Sequence, residues 1–246
     1  MSPRSTIVLT RESADNAPLR RRLERHGLVV DECPCVATRL FPYSGEPLDG
    51  GAVLEDFEVV AFSSRRGVKG VATQASRLAT VSLLAAVGPG TARAVERLVG
   101  RSPDMVPPEG TGEAMAGLIL DRLPEGGRVL LVRGRESTGA FQKKLGEGEN
   151  LQLTELIVYE NFEPDIAAVH PEGWVIVLFA SPSAVRRFFH SNPHLLSRST
   201  AVAIGPTTKA ALEVAGHSEI VLAGGMTEEH LFQALVHESG GRTHEQ

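Results

Sequence analysis

One pattern occurs twice in this chain at a constant spacing, and that duplication constrains the fold more than any single motif. The run Val59-Val60-Ala61-Phe62-Ser63-Ser64-Arg65-Arg66-Gly67-Val68 is echoed by Val177-Leu178-Phe179-Ala180-Ser181-Pro182-Ser183-Ala184-Val185. Val87-Gly88-Pro89-Gly90-Thr91-Ala92 is echoed by Ile204-Gly205-Pro206-Thr207-Thr208-Lys209. Val68 maps onto Val185 and Thr91 onto Thr208, a shift of 117 in both cases. A third echo carries Val8-Leu9-Thr10-Arg11 onto Leu131-Val132-Arg133 at a shift of 122. Each copy is an apolar run ending in small, hydroxylated or cationic residues ahead of a helical pattern. In open α/β sheets that junction is where ligands bind. Two such rims predict two lobes that share one ligand.

The rest of the chain keeps the same rhythm. Short β-branched runs at 5–10, 28–33, 58–62, 81–87, 128–133, 151–159, 174–179, 199–204 and 218–222 predict strands. Amphipathic stretches at 15–26, 64–77, 90–99, 112–122, 138–146, 182–190, 206–215 and 227–238 predict helices between them. Strict alternation of this kind predicts parallel sheets covered on both faces. Residues 37–57 and 160–173, rich in Pro and Gly, break the rhythm and read as connectors. They leave a discontinuous lobe of 1–36 with 174–246 and a second lobe of 58–159. Admitting Asp104-Met105-Val106 as a short strand gives each lobe five. A tandem split near 123 is simpler, but it puts each connector inside a lobe.

Composition narrows the chemistry. The 246 residues are 42 % hydrophobic and 22 % charged with net charge −5, an ordinary globular composition without the basic field that recruits nucleic acid. No apolar run approaches the ~20 residues of a membrane span, and the N-terminus has no signal-peptide cleavage region, so the expectation is a cytoplasmic protein. Cys33 and Cys35 flank Pro34; a single intervening residue is not the C-x-x-C of redox or zinc sites, and reduced, partly buried thiols are expected. His190 and His194 are separated by Pro193 and lack a carboxylate to complete a ligand set, so no metal is expected. Gly88-Pro89-Gly90 lacks the third glycine of a dinucleotide fingerprint, and Ala140 stands where a phosphate-binding loop needs lysine. There is no G-x-S-x-G elbow either.

The Gly-Pro-x-Thr pair has a direct physical reading. Glycine closes a strand, and proline suits the first helical turn because its missing N–H would be unpaired there. Thr91, Thr207 and Thr208 then lie in first turns, where backbone N–H groups and the helix dipole favour an anion. Ser63, Ser64, Ser181 and Ser183 are placed similarly. Plain helix capping is the alternative for every one of these hydroxyls. Four hydroxyl-rich helix starts in two repeats predict a ligand carrying several carboxylates or phosphates. Tyr159 closes a strand beside a connector; from its position alone it reads as a core or interface tyrosine.

At these residues the chain resembles the uroporphyrinogen-III synthase family. The resemblance rests on Val8-Leu9-Thr10-Arg11, Phe62-Ser63-Ser64 with Gly67-Val68, Ala86-Val87-Gly88 with Thr91-Ala92, and Leu131-Val132-Arg133-Gly134. It continues through Val158-Tyr159-Glu160, Ser181-Pro182-Ser183, Ala203-Ile204-Gly205-Pro206-Thr207-Thr208 and Thr227-Glu228-Glu229-His230-Leu231, covering nearly the whole chain in the family's order. Departures are Ser63 where threonine is frequent, Arg65-Arg66 where small or polar residues are common, and Met226 where proline is usual.

The resemblance implies two flavodoxin-like, doubly wound parallel-sheet lobes joined by a two-stranded connector. It implies a cofactor-free lyase of tetrapyrrole (heme) biosynthesis that closes hydroxymethylbilane with inversion of its last pyrrole ring. Together with the helix starts it nominates Arg11, Ser63, Ser64, Arg65, Gly88, Thr91, Arg133, Gly134, Ser181, Pro182, Ser183, Gly205, Thr207 and Thr208 for substrate binding. Tyr159 resembles the family's tyrosine that assists departure of the hydroxyl. Hydroxymethylbilane is the expected partner, the preceding deaminase a candidate second one, and a monomer the expected state. The competing expectation is a two-lobed sensor, or a degenerate homologue, that binds a polycarboxylate without catalysis.

Overall fold

The computed structural model describes residues 5–241. Its elements run β1 (Thr6–Leu9), α1 (Ser13–Arg25), β2 (Val29–Glu32), β3 (Ala37–Leu40), β4 (Val59–Phe62), α2 (Arg65–Gly70), α3 (Ala75–Leu78), β5 (Leu83–Ala86), α4 (Pro89–Val99) and α5 (Gly112–Arg122). They continue with β6 (Gly127–Gly134), α6 (Ala140–Leu145), β7 (Leu151–Phe162), β8 (Val175–Phe179), α7 (Pro182–Ser191), β9 (Ser199–Ala203), α8 (Pro206–Val214), β10 (Ile220–Leu222) and α9 (Glu228–Gly241). The chain divides into two compact units, residues 1–37 with 162–246 and residues 38–161. This is the α/β class with one predominantly parallel sheet per unit.

The first sheet has the order β10-β9-β8-β1-β2, and its strand pairs are parallel. Its central strands are buried on both faces, so alternate residues feed two different cores. Ile7, Leu9, Ile176, Leu178 and Val202 meet Leu19 and Leu23 of α1 and Leu231, Phe232 and Leu235 of α9. Val8, Val177, Phe179 and Ala201 meet Val185, Phe188 and Phe189 of α7 and Leu212 of α8. Period-2 strands between period-3.6 helices on each side give near-continuous apolar runs, which is why these strands show no polar alternation.

The second sheet has the order β3-β7-β6-β4-β5. Met105 adds an isolated parallel bridge to Ala85, outside β5. Laid on the echoes, β4 corresponds to β8, β5 to β9, β6 to β1, and the Met105 bridge to β10. The segment 104–106 is thus a single bridge rather than a strand, and β3 fills the fifth place. β3 comes from a stretch whose Pro and Gly content predicted only a connector. Phe41 N–H donates to Val158 O at 2.8 Å, while Thr38 reaches Asn161 and Arg39 reaches Glu160. Rising numbers on one strand face falling numbers on the other, so β3 is the antiparallel edge.

The helix expected over 64–77 is broken into α2, a 3₁₀ turn at Ala72–Gln74 and α3. Thr73 and Gln74 donate from that turn to the carbonyls of Tyr43 and Ser44. α2 itself lies unusually close to β7: a Cβ on Gly70 would stand 2.5 Å from Val158 Cβ.

One buried group carries a pH dependence. His217, 5 % exposed, lies against Ser199, whose hydroxyl donates to Leu195 O at 2.7 Å and so accepts from His217 Nε2 at 3.1 Å. Nδ1 is left without a partner, and burial pushes the imidazole below its ordinary value of 6.5. The histidine is then neutral in the folded state, while the unfolded chain takes up a proton below about pH 6.5. Stability should therefore be full above pH 6.5 and fall as the pH drops below it, by at most about 1.4 kcal/mol per pH unit from this group. Urea unfolding at several pH values checks this: the slope should flatten in His217→Phe, and an unchanged slope would assign it to other groups.

Candidate active site

In both sheets the nominated residues stand at the carboxyl ends of strands or in the helical turns that follow, except Tyr159. It lies inside β7, because that strand runs on to Phe162 through residues expected to begin a connector. In the first sheet the strand order reverses between β1 and β8, and Thr10 marks the spot: its hydroxyl donates to Leu178 O at 2.6 Å. Arg11 follows directly. Its Nε reaches Asn16 Oδ1 at 3.3 Å, and Nη2 bonds the Asp15 carbonyl. Buried Asn16 in turn donates to the carbonyl of Arg11 at 2.8 Å. Arg11 is thus folded onto the start of α1 rather than extended from it.

Across the switch point, Ser181 caps α7 by accepting from Ala184 N–H at 3.2 Å; Pro182 holds the first turn, and Ser183 Oγ lies 3.1 Å from Ser181 Oγ. One strand further out, Gly205 precedes α8 with no side-chain cap, Pro206 opens the helix, and Gly205 O accepts from the N–H groups of Thr208 and Lys209. Thr207 is exposed, and Thr208 is 1 % exposed. Neither hydroxyl has a hydrogen-bond partner among the described residues.

The second sheet repeats this arrangement between β4 and β6. Ser64 caps α2 by accepting from Gly67 N–H at 2.9 Å, as Ser181 does 117 positions later. Ser63 Oγ donates to Val132 O at 3.2 Å. Gly88 and Pro89 open α4 without a side-chain cap, and Thr91, 5 % exposed, likewise has an unpartnered hydroxyl. Arg65 begins α2 with its Cδ 3.8 Å from where a Cβ on Gly90 would be, so its stem lies along the start of α4.

Arg133 is fully engaged. Nε and Nη2 hold Glu155 at 2.7 and 3.1 Å, and Nη1 donates to the carbonyls of Gly134 and Arg135 at 2.7 and 2.8 Å. Gln142 adds a third bond to Glu155 at 2.5 Å. The Arg133 guanidinium, then Gln142, hold the Glu155 carboxyl below the usual carboxylate range against its desolvation. The clamp shapes the turn after β6 and leaves Arg133 little capacity for a ligand. Sequence reasoning missed Glu155; the available signal was one acid inside the otherwise uncharged run Leu151–Tyr159.

Beside this clamp the register between β6 and β7 slips at Arg133/Gly134, pairing Gly134 with Tyr159. Such a slip re-aims a side chain. The Tyr159 ring lies over Gly134, where a Cβ would stand 2.5 Å from Cζ and 2.9 Å from the phenol oxygen. Only glycine fits under this ring. Tyr159 is half-buried at the edge of a core, and its hydroxyl has no partner among the described residues.

The nominated hydroxyls therefore divide. Those of Ser63, Ser64 and Ser181 bond backbone, and that of Ser183 bonds Ser181. Those of Thr91, Thr207, Thr208 and Tyr159 have no hydrogen-bond partner among the described residues, with Thr91 and Thr208 buried and Thr207 exposed. Among the described residues no three His, Cys, Asp or Glu side chains are grouped to hold a metal, and no helix is long and apolar enough to cross a membrane.

Comparison with known proteins bears on which ligand this is. The structure is similar over 97 % of this chain and 99 % of the other to a mutant uroporphyrinogen III synthase from Thermus thermophilus, with TM-score 0.59 and 16 % identity; that likeness speaks to the fold. A uroporphyrinogen-III synthase from Chlorobaculum parvum is 28 % identical over 229 residues, 86 % of this chain and 89 % of the relative. The family described as uroporphyrinogen-III synthase HemD matches residues 17–233. With the resemblance of the rim motifs extended to nearly the whole chain, this protein belongs to the uroporphyrinogen-III synthase family.

Proposed function

We propose that the protein closes the linear tetrapyrrole hydroxymethylbilane into uroporphyrinogen III, and that Thr91, Thr207, Thr208 and Tyr159 are its principal side-chain contacts. The observation that carries this reading is the set of unpartnered hydroxyls: Thr91, Thr207 and Thr208 in first helical turns after strands, and Tyr159 over Gly134 at the end of β6. Each pyrrole of the substrate bears two carboxylate arms, so the ligand is a polyanion. First-turn N–H groups and threonine hydroxyls bind carboxylates without a metal. Serines 63, 64, 181 and 183 fix the shape of the rims, as Arg11 and Arg133 do, and Arg65 supplies positive charge at the start of α4.

Loss of the substrate's hydroxyl, with a proton from the Tyr159 phenol, releases water and leaves an electrophilic azafulvene. The substituted carbon of the last ring attacks it, the resulting spiro intermediate fragments, and closure follows with that ring reversed. Spontaneous closure gives the unrearranged isomer. The enzyme's main task is thus positional: it makes attack from the substituted carbon the near-attack geometry. The two chain passages at 37/38 and 161/162 serve as the connector, and a cytoplasmic monomer is the working state.

Freshly made hydroxymethylbilane supplied to the purified protein should yield the type III isomer, at a rate that a chelator leaves unchanged. Type I product alone would refute the proposal. Within that assay, Thr208→Val keeps shape and removes one hydroxyl. It should raise KM about tenfold, within the roughly 1.5–3 kcal/mol of a charge-assisted hydrogen bond, at unchanged melting temperature. A lower melting temperature with unchanged KM would make Thr208 a structural residue.

A further inference from the structure

Cys33 and Cys35 stand just beyond β2, at the same rim of the first sheet, and the reaction above makes no use of them. Their backbone is gathered. Cys33 N–H donates to Leu9 O at 3.0 Å, and Cys35 N–H donates to Thr10 O at 2.9 Å. A regular parallel ladder would advance two residues on both strands between such bonds; here β1 advances by one. Two fully extended residues span roughly 6.6 Å, at the upper end of the Cα separations a disulfide allows, whose mode is about 5.5–6 Å. Gathering moves the pair towards that mode. The Cys35 thiol donates to Cys33 O at 3.3 Å, and the Cys33 thiol to Ala167 O at 4.0 Å.

The thiols differ in reach and character. Cys35 is sealed at 0 % exposure, and Cys33 keeps 6 %. The neighbouring Cys35 lowers the Cys33 thiol below its ordinary value, while Cys33 and burial raise Cys35. Thiols buried among apolar groups alone are inert; Cys33 instead keeps a little exposed surface and has the Cys35 side chain folded back against its own carbonyl.

We propose that Cys33 and Cys35 form a hydroperoxide-reactive dithiol that closes to an intrachain disulfide and switches the rim of the first sheet. The Cys33 thiolate attacks one peroxide oxygen, the O–O bond breaks, and a sulfenic acid forms as the second oxygen leaves as water. The Cys35 sulfur then attacks the sulfenic sulfur, the S–O bond breaks, and that oxygen leaves as water with the Cys35 proton. Two thiols and one hydrogen peroxide thus give one disulfide and two waters. The Cys35 peptide transmits the change in two directions. Its N–H holds Thr10, next to Arg11, and its carbonyl accepts from Arg187 Nη1 at 3.0 Å. Arg187 also clasps Glu163 through Nε at 2.7 Å. One guanidinium therefore ties the chain just before its first passage out of this unit to the chain just after its return.

The test treats the reduced full-length protein with hydrogen peroxide, counts thiols after denaturation, measures the mass, and assays uroporphyrinogen III formation before and after. The expected result is loss of both thiols with a mass lower by two hydrogens, turnover reduced severalfold, and recovery of both with a dithiol reductant. Cys35→Ser should stop at a sulfenic acid that a dimedone probe traps on Cys33, and Cys33→Ser should keep its turnover under peroxide. Failure to form the disulfide, or a disulfide with unchanged turnover, overturns the proposal. Because the reduced protein is assayed first and the thiol chemistry is read by mass, neither outcome is confused with failure of the synthase reading.

Discussion

Tyr159→Phe should turn over hydroxymethylbilane roughly ten- to a hundredfold more slowly, with KM and melting temperature nearly unchanged. General acid assistance contributes typically about 10²–10⁴-fold, but this hydroxyl leaves readily unaided, so the low end or less is expected. The geometry makes the test clean. The phenol oxygen has no partner among the described residues, so its removal breaks no internal bond, and the ring keeps its place over Gly134. A purely structural tyrosine would give the opposite result, a lower melting temperature with turnover preserved. Full activity in the variant would leave positioning as the whole mechanism.

Arg133→Met should have the largest effect on stability at this rim, about 2–3 kcal/mol by urea unfolding, in view of the charge-assisted bonds lost and the partly buried Glu155 left behind. Two bonds to Glu155 and two to backbone carbonyls disappear together. Glu155, released from its strongest partner, should titrate higher. The double variant Arg133→Met with Glu155→Leu should recover part of the loss, because the apolar pair leaves no carboxylate stranded. A single variant with unchanged stability but raised KM would instead make Arg133 a substrate anchor.

Much of the architecture was legible because the fold is built from a duplicated sequence. The shift of 117 carries Ser64 onto Ser181, both of which cap the helix after a central strand, and Gly88-Pro89 onto Gly205-Pro206, both of which open a helix without a cap. It even carries the neighbourhood of Met105, a bare bridge, onto a true strand. Long-range partnerships were less legible. The helix over 64–77 breaks because Thr73 and Gln74 bind carbonyls some thirty residues earlier, and no local period reports that. β3 was read as connector because its proline- and glycine-rich sequel dominates the composition, while its pairing depends on β7. The site list suffered for the same reason. A serine in a first turn looks like a ligand group or a cap until its bond to Val132 O or Gly67 N–H is seen, and the saturation of Arg133 depends on an acid 22 residues away.

The interleaved strand order also sets a timetable for the growing chain. Residues 38–161 form a contiguous unit that can close its sheet as soon as it has left the ribosome. β1 and β2 emerge before that unit, yet β1 is flanked by β8, with Thr6 beside Val175 and Leu9 beside Leu178. Until that partner is made, an almost wholly apolar strand waits with one edge open, the situation in which nascent chains need protection. Separations this long slow folding through the cost of closing the loop. The polypeptide that completes itself first is thus its own middle, held between a waiting beginning and an end not yet synthesised.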